Sequence, residues 1–139
     1  MMQLNVDSTR VLPVQATRPV RPLTVERRRQ LYRDARSEIE RRYAEPLTVA
    51  AVAHAIGTSS RQLQRVFEEA GGRSFRSQLA AVRMDRAREM LLSDDATVRS
   101  VAARVGYSQP AQFAKAFRRH HGVAPSELRR DGNPAERAA

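Results

Sequence analysis

The side chains in this chain that offer chemistry are mainly cations and amides, and they recur at helical spacing in two places. Arg61, Gln64 and Arg65 fall outside a segment whose Leu63, Val66, Phe67 and Ala70 point inward. In a later segment Ala111, Gln112, Ala114, Lys115, Arg118 and Arg119 occupy the faces left free by a stripe of Phe113, Ala116, Phe117 and His120. Arg is a bidentate donor matched to guanine O6 and N7, and Gln pairs with adenine N6 and N7, so such faces suit nucleic acid. Other chemistries lack their residues. The absence of Cys removes disulfides, thiolate zinc sites and thiol nucleophiles together. His54, His120 and His121 show no metal spacing with a third ligand in view and read as core or surface histidines. Asp94 and Asp95 read as a helix boundary. With no nucleophile–base constellation and no phosphate-cradling glycine loop, neither an enzyme nor a cofactor is expected.

The totals narrow the class. There are 25 Lys and Arg against 15 Asp and Glu, a net charge of +10. That balance predicts binding to polyanions by counterion release, with steep salt dependence. Lys115 is the only Lys, and an Arg- and Ala-rich chain is also what a GC-rich genome produces, so charge alone does not separate the two. A length of 139 residues leaves room for one domain, or two very small ones sharing a core. Only 5% of residues are aromatic and there is no Trp, which points to aliphatic, Ala-rich helix packing. No apolar run reaches membrane-spanning length and no signal peptide opens the chain, so a cytoplasmic, nucleoid-associated protein is expected.

The elements that must position these faces read as an all-α fold of about seven helices. Residues 1–22, with Pro13, Pro19 and Pro22, form a flexible arm whose Arg10, Arg18 and Arg21 are either solvated or free to reach a minor groove. Thr24 caps a helix from Val25 to about Tyr43, with Leu31, Ala35, Ile39 and Tyr43 on one stripe. Its opposite face is solvated surface or a contact for a partner protein. Thr48 caps a short helix containing Val49, Val52, Ala53 and Ile56 that Gly57 stops. Ser59 or Ser60 caps the next, ended by Gly71 and Gly72. Ser74 caps a long helix with Phe75, Leu79, Val82, Met84, Ala87, Met90 and Leu91 as core. Thr97 caps Val98–Val105, Ser108 caps the helix that Gly122 ends, and Pro125 restarts a short last helix. The divisions expected are a first helix-turn-helix subdomain at 23–73, a linker helix at 74–92, a second subdomain at 93–130 and a flexible tail at 131–139.

The two subdomains are copies. Val49, Val52, Ala53, Ile56, Gly57 and Ser59 recur 49 positions later as Val98, Val101, Ala102, Val105, Gly106 and Ser108. Beyond the turn the offset becomes 50, pairing Leu63 with Phe113, Phe67 with Phe117 and Gly72 with Gly122. At about 1.5 Å per residue the linker spans over 25 Å, within reach of the roughly 34 Å between successive major-groove faces of B-DNA.

The second copy, with Gly106-Tyr107-Ser108, Phe113, Phe117-Arg118-Arg119, Gly122, Pro125 and Arg129, resembles the DNA-binding domain of AraC/XylS family transcription regulators. The first copy resembles it through Leu47-Thr48, Ala53, Gly57, Ser59, Leu63, Arg65, Phe67 and Gly72, and the linker through Phe75, Leu79, Arg83, Ala87 and Leu91. The resemblance covers roughly Leu23 to Arg129. It implies two helix-turn-helix units on one chain, an asymmetric double-stranded DNA site bound by a monomer, and contact with RNA polymerase through its sigma or alpha subunit, as an activator. The length resembles that of the family's small stand-alone members. As base readers the resemblance implies Arg61, Gln64 and Arg65 in the first unit and Gln112, Lys115, Ala111 and Ala114 in the second, the two alanines touching thymine methyls. Backbone contacts are expected from Ser59, Ser60, Arg73, Ser108, Arg118 and Arg119. The competing reading of Arg61 and Arg65 is a solvated face paired to Glu68 and Glu69. Arg83, Arg86 and Arg129 are expected to be structural, pairing with acids across the units. Two other functions compete: a polymerase-binding co-regulator with little base readout, and a DNA-targeting module for a separate catalytic chain.

Overall fold

The computed structural model describes residues 23–93 and 95–132. The expectations for the 1–22 arm, for Asp94 and for most of the 131–139 tail lie outside the described residues. Seven α-helices and no strand occur among the described residues. They are α1 (Val25–Arg42), α2 (Val49–Ile56), α3 (Ser60–Val66), α4 (Phe75–Ser93), α5 (Val98–Arg104), α6 (Pro110–His121) and α7 (Pro125–Gly132).

Side-chain caps start most of these helices where the hydroxyl residues predict. Thr24, Thr48, Ser59 and Thr97 accept from the backbone N–H of Arg27, Ala51, Gln62 and Ser100, and Ser74 Oγ accepts from Ser77 N at 3.1 Å. Ser108 does not cap α6. Pro110 takes the first helical position, so Gln109 becomes the cap residue and makes no side-chain cap bond. The cause is the extra residue in the second turn, which places Gln109, not Ser108, opposite Ser59. Glu127 Oε1 accepts from Ala124 N at 2.8 Å at the start of α7.

The apolar residues sort into two clusters. Leu31, Ala35 and Ile39 of α1 join Val52, Ala53, Leu63, Val66 and Phe67, and the cluster closes on Phe75, Leu79 and Val82 of α4. Met84, Ala87 and Leu91 of α4 close the second cluster, with Val101, Ala102, Val105, Phe113 and Phe117. Counted at 100° per residue, these two sets of α4 residues face roughly 150° apart around its axis. The helix is therefore a wall shared by both cores, and its buried residues follow no single stripe.

Several residues expected inside are exposed or only half-buried, with Tyr43, Val49, Ile56 and Met90 among the half-buried. Ala70 is exposed, because the chain after Val66 widens into one π turn, Phe67–Gly71. His120 is exposed and Ala116 only half-buried. His121 takes the inner place instead, its ring 4.7 Å from that of Phe117 and its Nε2 3.0 Å from Met84 O. In the first copy the matching position is Gly71, where a Cβ would lie 2.7 Å from the Tyr32 ring. Tyr32 of α1 reaches in there and packs edge-on against Phe67 at 5.6 Å. Each copy thus covers its inner Phe with a ring from a different element.

Phe117 is 0% exposed and belongs to the second core. Phe117→Ala is expected to cost about 3–5 kcal/mol in urea unfolding, whereas Ala70→Ser on the exposed turn stays within about 0.5 kcal/mol.

Candidate nucleic-acid interface

α3 and α6 each bury one face and leave the other to solvent. On α3, Leu63 and Val66 are buried, and Arg61, Gln64 and Arg65 between and before them are exposed. Neither arginine has an ionic partner among the described residues. The pairing with Glu68 and Glu69 does not form: Glu69 lies 3.2 Å from Arg28 Nε of α1 instead. A donor fork with no internal acceptor has only water to give up on meeting a ligand.

On α6, Ala111, Gln112 and Lys115 are exposed, while Ala114 is half-buried and offers less methyl surface than expected. Ser59 and Ser108 are exposed and Ser60 partly so. Ser59 Oγ accepts from Gln62 N at 3.1 Å, which leaves its hydroxyl hydrogen to donate outward. Arg118 and Arg119 are exposed, and Arg118 sits 3.8 Å from Glu127, a long and solvent-screened pair. Arg73 comes from the end of the first unit and Arg119 from the second. The fold brings them onto one cleft of about 670 Å³ along α4, together with Arg76, Ser77 and His120. Arg76 was not singled out by the sequence, since only the packing of α6 on α4 places it beside Arg119.

A seam where the α1–α2 connection meets the second turn ties the two units together beside their shared packing on α4. Arg83 of α4 donates from Nε to Tyr43 O at 2.7 Å and from Nη2 to Glu45 O at 2.8 Å. Its guanidinium also lies 5.8 Å from the Tyr107 ring centre. Burial pushes the Arg83 pKa below its usual value, with the nearby Tyr107 acting the other way; the group still stays charged at neutral pH. Gly106 closes the seam at φ +97°, and a Cβ there would sit 3.1 Å from Ala44 O and 3.3 Å from the Arg83 guanidinium. Arg86 pairs with Glu40 of α1 and lies 5.9 Å from the Tyr43 ring centre, and the Glu40 hydrogen bond raises its pKa. Arg86 thus finds an acid, as expected of a structural arginine. Arg83 holds backbone carbonyls, and Arg129 donates to Ala96 O. Carbonyls at helix ends and in connections keep a lone pair open to a guanidinium N–H.

Comparison with known proteins places this architecture. A family model described as a helix-turn-helix domain matches residues 52–131. YijO, an uncharacterized HTH-type transcriptional regulator of Escherichia coli strain K12, is 33% identical over 107 residues, covering 77% of this chain and 38% of that protein. The C-terminal domain of AraT, a response regulator from Geobacillus stearothermophilus, superposes with a TM-score of 0.69 at 34% identity, over 73% of this chain and 84% of that one. The DNA-binding domain of AdpA, the global transcriptional factor, was solved in complex with a target DNA. It gives a TM-score of 0.62 at 26% identity, over 80% of this chain and 93% of that one. The chain spans 26% to 38% of the length of the first curated relatives it matches. No helix among the described residues is long and apolar enough to cross a membrane.

Gly106→Ala is expected to destabilise the protein by about 2–3 kcal/mol, because left-handed strain adds to the clash with Ala44 O. Gly57→Ala, with nothing within 4 Å of its added Cβ, is expected to cost about 1 kcal/mol. Urea unfolding of the two variants side by side checks the difference.

Proposed function

Because this chain belongs to the family of AraC-type helix-turn-helix domains, we propose that it is a sequence-specific, double-stranded-DNA-binding transcription regulator. It lays α3 and α6 in consecutive major-groove segments of an asymmetric site and binds as a monomer. α3 carries most base discrimination through Arg61, Gln64 and Arg65, which are exposed and, for the arginines, without an ionic partner among the described residues. That unpartnered face is the observation that carries the proposal. α6 offers only Gln112 and Lys115 as hydrogen-bonding readers, with Ala111 and part of Ala114 against methyl groups, so it contributes more through phosphates and DNA shape.

The phosphates between the two groove segments fall to the cleft of Arg73, Arg76 and Arg119, and those at the helix starts to Ser59, Ser60 and Ser108. Arg118 adds its charge at the second unit. The 19-residue α4, about 28 Å long, supplies the spacing. Support from the relatives is that AdpA's domain was solved on a target DNA. Activation through contact with the sigma or alpha subunit of RNA polymerase is part of this proposal, with the outward face of α1, rich in Arg27, Arg29, Arg33 and Arg36, as the contact.

Selection from random DNA by the protein alone is expected to enrich one asymmetric motif, with its strongest base preferences under α3. Arg61→Ala or Arg65→Ala should weaken binding by about 1–3 kcal/mol and relax preference at single positions. Arg119→Ala should weaken all sequences alike and lower the salt slope by about one. Enrichment only in the presence of polymerase would support a co-regulator instead.

A further inference from the structure

The last two residues of α6, His120 and His121, meet Asp85 of α4, a residue 35 positions upstream of His120. Asp85 Oδ1 lies 3.2 Å from His120 Nε2 and 3.7 Å from His121 Nε2, and one ligand atom from each of the three lies within 4.8 Å of the others. Bonds of about 2.0–2.1 Å at tetrahedral angles separate neighbouring zinc donors by about 3.3 Å, a value that these two distances bracket. We propose that Asp85, His120 and His121 form a site for a divalent transition cation, Zn²⁺ in particular, that fastens the end of α6 to α4.

Four features favour a cation of this class there. Two imidazoles and one carboxylate select zinc-like ions over Mg²⁺ or Ca²⁺, which take oxygen donors. The donors sit at the C-terminal end of α6, where the unpaired carbonyls carry partial negative charge. His121 is already held by its ring contact with Phe117 at 4.7 Å, so little side-chain freedom is lost on binding. Asp85 and His120 are exposed, which leaves an entry path and a fourth position for water. Two features oppose it: the net charge of +10, and the His121 contact with Met84 O, which the ion must displace. They set the affinity well below that of a closed structural zinc site. His54, the third histidine in the sequence, sits on α2 and takes no part.

The test is titration of the untagged, metal-stripped protein with Zn²⁺ by calorimetry, with thermal unfolding followed in parallel and Co²⁺ absorption reporting coordination. One equivalent bound, a Tm raised by several degrees and a tetrahedral Co²⁺ spectrum are expected. His120→Gln and Asp85→Asn, both at exposed positions, should each weaken binding at least tenfold while leaving the metal-free Tm nearly unchanged, and His54→Gln should bind as the unaltered protein does. Absence of binding, or binding that survives His120→Gln and Asp85→Asn, overturns the assignment.

Discussion

Phe75, Leu79 and Val82 face one core and Met84, Ala87 and Leu91 the other, so each helix-turn-helix is built against the same backbone. This double use of α4 is the constraint on which the remainder depends. Neither copy buries its large aromatic residues without α4, and α4 is buried only because both copies press on it. The hydrophobic effect that folds the chain therefore also sets the angle between the two exposed helices. Where that angle needs trimming, at the seam of Tyr43, Glu45 and Gly106, directional bonds from Arg83 supply it.

The two copies show how one plan diverges under different neighbours. α1 covers the first copy and sends Tyr32 onto Phe67, which requires Gly71 and accompanies a π turn at the end of α3. In the second copy His121 from its own α6 stacks on Phe117 in that place. Their outward faces diverge as well. α3 presents arginines and glutamine, whereas the start of α6 presents Pro110, Ala111 and a cap residue with no cap bond. A helix start without a side-chain cap leaves more free N–H groups.

Much of this was legible in the residues themselves. Hydroxyl residues ahead of apolar runs, glycines after them and the offset of 49 then 50 reveal the helices and their duplication. The residues exposed on α3 follow from period alone. What escaped the sequence depends on contacts distant along the chain. Periodicity put His120 inside and Ala70 inside, because it assumes a regular helix and one packing direction; the π turn and the opposed cores break both assumptions. Ser108 looked like the cap because its hydroxyl precedes an apolar-periodic run, and the inserted residue moved that place to Gln109. The carbonyl partners of Arg83 and Arg129, the meeting of Arg73, Arg76 and Arg119 on one cleft, and the approach of Asp85 to the two histidines carry no local signal.

The claim at the centre is that both exposed helices move as one body. The chain has no Cys, so paired spin labels can be placed at Gln64→Cys on α3 and Lys115→Cys on α6 without background. Pulsed dipolar spectroscopy is expected to give a single narrow distance distribution in the free protein, broadened by Arg83→Ala. A broad or bimodal distribution in the unaltered seam, or a narrow one indifferent to Arg83, would contradict the account.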